Sequence, residues 1–115
     1  MPAIASFPFS AVQLAGGLST RMGRDKALLE CGGQVLWRRP WALLGKLGAR
    51  ERLLSVRPEQ TWAPADATKV FDALPGLGPI GGLAAALERS AFGHLLVLAV
   101  DLPRMEPAWF ARLFV

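Results

Sequence analysis

The sequence predicts a doubly wound α/β domain, a mostly parallel sheet with helices on both faces. Three observations carry this. Short apolar runs alternate along the chain with segments of helical period, the pattern of strand–helix–strand units joined by right-handed crossovers. Leu95 to Val100 (LLVLAV) is apolar without alternation, as expected of a central parallel strand covered on both faces. A glycine pair and a cluster of charges follow the first run, and an aspartate follows the last. Open parallel sheets bind ligands beyond the carboxyl ends of their strands.

Each element has its own signal. Ala11 to Ala15 (AVQLA) reads as the first strand, stopped by Gly16-Gly17. Residues 16–33 read as a loop with a turn of structure around Lys26 to Glu30, and Cys31 precedes a Gly32-Gly33 turn. Residues 34–48 have helical period, with Leu36, Pro40, Leu43, Leu44 and Leu47 on one side. Pro40 there requires a late helix start or a kink. Trp37 and Trp41 are four apart and share a face, which suits packing better than ligand stacking. Arg52 to Val56 (RLLSV) is a second strand ended by Arg57-Pro58, and Pro64 marks a connector before a third, Thr68 to Phe71. A helix fits Gly81 to Arg89, entered through Pro79, and Pro107 to Phe114 opens another with Pro at an early position. No internal repeat, low-complexity tract or linker appears, so residues 1–10 read as an N-terminal extension and 11–115 as one domain.

Composition narrows the function classes. A chain of 115 residues holds one domain with a modest core, and 52% apolar content favours a globular fold over disorder. The net charge of +4 is scattered, with Arg38-Arg39 and Arg50 with Arg52 the tight groups. A nucleic-acid footprint needs a continuous basic face with interleaved aromatics; attraction of a small anionic ligand accounts better for this balance. Cys31 is the single cysteine, which excludes an intrachain disulfide and suits a reduced compartment. The opening MPAIASFPFS has no basic region before its apolar run, and Pro8 breaks that run. Neither a signal peptide nor a membrane span is expected, and the cytoplasm is the expected location.

The most informative stretch is LAGGLSTRMGRDKALL, Leu14 to Leu29. Paired glycines after a strand let the backbone turn and present N–H groups without a Cβ in the way. Ser19, Arg21 and Lys26 add a hydroxyl and fixed positive charge in the same loop. Backbone donors with two cations suit a polyphosphate. The loop is not a P-loop, because five residues separate Gly17 from Gly23 and Arg24 follows. It also lacks the Gly-x-Gly-x-x-Gly dinucleotide pattern.

Two other segments carry chemistry. Asp101 directly follows the last apolar run, where a carboxylate can hold a divalent cation against phosphate oxygens; a helix cap is the competing role. Gly76, Gly78 and Gly81 match the dinucleotide pattern by letter, and Asp101 lies twenty residues beyond Gly81. However, Asp72, Ala73, Leu74 and Pro75 separate this loop from its strand, and Pro79 removes a backbone donor. A lid-like loop with Asp72 at its strand end, contacting a nucleotide, is the rival reading.

The first loop resembles the signature of sugar-phosphate and cofactor nucleotidyltransferases, L-A-G/A-G-x-S/G-x-R-M-G-x-D-K. With LAGG, Asp25-Lys26, GPIGGLAAAL at Gly78 to Leu87 and LAVDLP at Leu98 to Pro103 in family order, the chain from Ala11 onward resembles the molybdenum cofactor guanylyltransferases. The resemblance implies a Rossmann-like nucleotidyltransferase fold and Mg²⁺-dependent transfer of GMP from GTP to molybdopterin, releasing pyrophosphate. It implies that Leu14, Ala15 and Gly16 contact guanine, with Gly17 and Ser19 in the same loop. Lys26 and Arg21 would meet the phosphates, Asp72 would touch the nucleotide and Asp101 would bind Mg²⁺. Related cytidylyltransferases usually carry Ala at the position of Gly16, so the glycine favours guanine.

Two departures bear on this. The family often places an Asn near the end of the second strand, where this chain offers Leu54, Ser55 and Val56. The family pattern also continues well beyond Val115 into the half that holds the pterin. The chain therefore resembles an N-terminal nucleotide-binding part, expected to bind GTP without completing transfer and to self-associate through exposed apolar surface. A nucleotidyltransferase for another acceptor, such as a sugar phosphate, and a GTP-binding remnant are the alternatives. Neither nucleic acid nor membrane is an expected partner.

Overall fold

The computed structural model describes residues 7–16, 26–72 and 79–99, with only the backbone described for Lys26, Cys31 and Pro79. The chain begins with strand β1 (Ser10–Leu14) and a 3-10 turn (Lys26–Leu28), then a hairpin of β2 (Glu30–Cys31) and β3 (Gln34–Val35). Helix α1 (Arg38–Lys46), strands β4 (Glu51–Val56) and β5 (Thr68–Phe71), helix α2 (Pro79–Arg89) and strand β6 (Leu95–Ala99) follow. Four strands form one sheet in the order β5-β4-β1-β6, each neighbouring pair parallel.

Successive residues of a strand point to opposite faces, and the apolar runs therefore serve two cores. On one face Ala11, Leu54, Val56 and Leu98 pack with Leu43, Leu44 and Leu47 at α1. On the other, Val12, Leu53 and Val70 pack with Ala86 of α2. Ala11 with Val12, and Leu54 with Leu53, divide between the two. The fold is thus doubly wound, as the uninterrupted apolar runs predict.

Helix α1 starts later than the 34–48 periodicity suggests. Gln34 and Val35 pair instead with Glu30 and Cys31 across Gly32-Gly33, whose φ values of 61° and 83° lie in the left-handed region that a tight two-residue hairpin requires. Pro40 then falls in the first turn, where its missing N–H breaks no helical hydrogen bond. Trp37 and Trp41 are both buried against the sheet, and Trp37 stacks on Trp62 with ring centroids 5.3 Å apart. Trp62 belongs to the 57–67 connector, which crosses from β4 to β5 without a helix and covers the α1 face with Trp62, Ala63 and Ala67.

Three boundaries differ slightly from the sequence pattern. Strand β1 begins at Ser10, with Phe9 already in the core at 1% exposed, and Ala15 lies just past its end. Strand β6 is described to Ala99, while Val100 and the expected Pro107–Phe114 helix lie outside the described residues. His94, at the amino end of β6, stacks on Phe7 at the opposite end of the sheet from the strands' carboxyl ends.

Candidate functional site

Because the sheet is parallel, Leu14, Val56, Phe71 and Ala99 end their strands along one edge, with Leu14 opposite both Ser55 and Ala99. The chain leaving β1 returns at β4, and the chain leaving β5 returns at β6 on the other side of β1. In open α/β sheets the ligand position lies beyond the carboxyl ends of the strands. Leu14, Ala15 and Ala99 lie at that end of the sheet.

Of the residues the sequence singles out, Leu14, Ala15, Gly16 and Asp72 are described, as is the backbone of Lys26. Gly17, Ser19, Arg21 and Asp101 lie outside the described residues, as do Gly76 and Gly78. Both flanks of the signature loop are anchored. At its start the Ala15 N–H donates to the Ser55 carbonyl at 2.8 Å. At its end the buried Ala27 accepts, through its carbonyl, the Trp37 N–H at 3.2 Å. The fully buried Gln13 donates from Nε2 to the Trp37 carbonyl at 3.0 Å, tying β1 to the start of α1. Lys26 is the residue immediately before this anchor, so its backbone is fixed next to the Ala27–Trp37 bond.

Asp72 and the GPIGG segment form a second assembly. The Asp72 carboxylate lies directly against Gly81, where any Cβ would overlap both its oxygens, and a Cβ on Gly82 would overlap the Ser55 hydroxyl and touch Leu14. Two adjacent buried glycines thus let the first turn of α2 press onto the ends of β5, β4 and β1. A carboxylate at a helix amino end is electrostatically favourable. Asp72 therefore has a structural task, holding α2, that the motif alone did not assign. It also stands two strands from β1, roughly 10 Å at the usual strand spacing.

Overpacking costs about 1–3 kcal/mol, and the helical preference for Ala over Gly returns about 1 kcal/mol at most. Gly81→Ala should therefore lower stability by about 1 kcal/mol in urea denaturation, and should cost less when introduced into an Asp72→Gly background, where the overlap is gone. Wild-type stability in the single variant would show that the carboxylate swings clear freely.

The end of β4 corrects one family expectation. Leu54 and Val56 are sealed in the α1-side core and Ser55 faces α2, so none replaces the usual Asn as an exposed contact. What this edge supplies instead is Arg57 and Gln60, which reach back to the first loop. Neither stands out in sequence, because a Gln in a connector has no periodicity to mark it as buried.

Gly16 admits a side chain. An added Cβ would lie 3.4–3.6 Å from the Val56 and Arg57 backbone, ordinary contact, and its φ is not in the left-handed region. Gly16→Ala should fold normally and, by crowding a purine edge, shift preference from GTP toward CTP. Competition titrations with an unchanged GTP-to-CTP ratio would remove Gly16 from base selection. Among the described residues no cluster of three or more His, Cys, Asp or Glu could hold a metal ion, and no helix is long and apolar enough to cross a membrane.

An open, doubly wound parallel sheet with a glycine- and cation-bearing sequence following its first strand fits a domain of nucleotidyltransferase type. Residues 11–115 match the model of the MobA-like NTP transferase domain, and the chain belongs to that family. A probable molybdenum cofactor guanylyltransferase of Opitutus terrae is 42% identical over 116 residues, covering 98% of this chain and 57% of the relative. A molybdenum cofactor guanylyltransferase of Xanthomonas euvesicatoria is 40% identical over 108 residues, covering 92% and 53%. The chain thus spans about half the length of the curated relatives it matches. In fold it is similar to the crystal structure of Rv0371c from Mycobacterium tuberculosis, with a TM-score of 0.75 at 22% identity over 98% of this chain and 60% of the other.

Proposed function

We propose that this chain is the GTP-binding part of a molybdenum cofactor guanylyltransferase. The observation that carries the reading is the LAGG motif at the carboxyl end of β1, with Ala15 and Ala27 on its two flanks held by backbone hydrogen bonds. The names of relatives 40–42% identical supply the acceptor and the base. In the reaction a phosphate oxygen of molybdopterin attacks the α-phosphorus of GTP in line. The new phosphoanhydride bond forms as the bond to pyrophosphate breaks. No protein nucleophile is needed. Leu14, Ala15 and Gly16 would place the base, while Gly17, Ser19, Arg21 and Lys26 would hold and neutralise the phosphates. Asp101, two residues past β6, would bind the divalent cation, Mg²⁺ in this proposal, whose contribution is to offset phosphate charge. Asp72 would reach the nucleotide by way of the α2 turn it holds.

The cytoplasm is the proposed location. Exposed Ile80 and Leu87 on α2 and Val97 on β6 favour self-association. The test is calorimetry with Mg·GTP and Mg·CTP, followed by assay of pyrophosphate release. Tighter GTP binding and release that requires molybdopterin are expected. Release driven instead by a sugar phosphate would assign another acceptor, and GTP binding with no release under any acceptor would favour a binding remnant. No GTP binding would overturn the reading.

A further inference from the structure

The connector after β4 holds a clamp on the nucleotide loop. Gln60 is only 4% exposed although it sits between turns. Its Nε2 donates to the Ala15 carbonyl at 2.8 Å, and its Oε1 accepts the Arg57 N–H at 2.6 Å. The Arg57 Nη1 donates to the Gly16 carbonyl at 3.3 Å, while Glu59 faces the Arg57 Nε at 2.9 Å. With the Ala15 N–H already bound to Ser55, three of the four backbone polar groups of Ala15 and Gly16 are held from the β4 side.

A trans peptide is planar, so a carbonyl and the N–H that follows point in opposite directions. Drawing the Ala15 carbonyl toward Gln60 therefore turns the Gly16 N–H away from the connector. Holding a loop in its binding geometry before the ligand arrives reduces the ordering cost at binding. We infer that Gln60 and Arg57 are positioning residues that preset the Ala15–Gly16 backbone for the purine base. Lys26 sits at the loop's other anchor, so the clamp acts chiefly on base binding. The inference rests on the GTP-binding reading.

The test compares Gln60→Met, Gln60→Glu and Arg57→Ala with the wild-type chain. Calorimetry measures Mg·GTP and Mg·tripolyphosphate separately, and thermal melting records stability. Gln60→Glu keeps an acceptor for the Arg57 N–H but, ionised, cannot donate to Ala15. Each Gln60 variant should lose roughly 5-fold in GTP affinity, the scale of a net hydrogen bond, with tripolyphosphate nearly unchanged. Arg57→Ala should show a smaller loss of the same kind, and because Arg57 is partly exposed it keeps the test decisive should a Gln60 variant not fold. Parallel losses for both ligands would reduce the clamp to a structural role, and unchanged GTP affinity in all folded variants would overturn it outright. A wild-type chain that binds no GTP would instead defeat the parent reading.

Discussion

Lys26→Ala should weaken GTP binding roughly 10- to 100-fold while leaving guanosine almost unaffected, the range expected for a charge-assisted hydrogen bond of about 1.5–3 kcal/mol. Lys26 opens the 3-10 turn that Trp37 fixes through Ala27. Its backbone is therefore placed by the core, and the substitution removes the ammonium without removing the anchor. Guanosine carries no phosphate for that ammonium to meet. Isothermal titration with both ligands decides the matter: equal losses would make Lys26 a structural residue.

Asp101→Asn should lower Mg·GTP affinity 10-fold or more, about 1.4 kcal/mol, and abolish turnover in any active form of the protein. The competing role for an Asp after a strand is a helix cap. Asn caps a helix about as well as Asp, so a capping residue would tolerate this change in both stability and binding. A metal ligand would not, because Asn cannot supply an ionised oxygen to a hard cation. Titration of GTP with and without Mg²⁺ separates the two. A variant with wild-type Mg²⁺ dependence would remove Asp101 from the metal site.

The sheet was legible because its signals are local. Uninterrupted apolar runs gave the buried parallel strands, and Thr68 to Phe71 matches β5 at both ends. The β2–β3 hairpin is not legible because two-residue strands have no measurable period: Gln34 and Val35 merge with the helical pattern that follows, while Glu30 and Cys31 read as loop. The Leu14–Gly16 part of the proposed site stands out in the sequence for a different reason. A glycine pair after a strand with cations nearby is a chemical pattern in consecutive residues. The clamp does not stand out, since Gln60 and Ala15 are 45 positions apart and meet because β1 and β4 are neighbours.

Taken alone, the sequence determined the doubly wound class and the family to which the chain belongs. Each depends on residue type and spacing within a short window, where periodicity and backbone chemistry act directly. Only the tertiary structure decided that β6 lies beside β1. It alone showed why Gly81 and Gly82 must be small, with Asp72 and Ser55 occupying the space a side chain would need. It alone turned Arg57 and Gln60 from connector residues into supports of the first loop. These are contacts between distant segments, and close packing of the assembled sheet, which no local window contains, sets them.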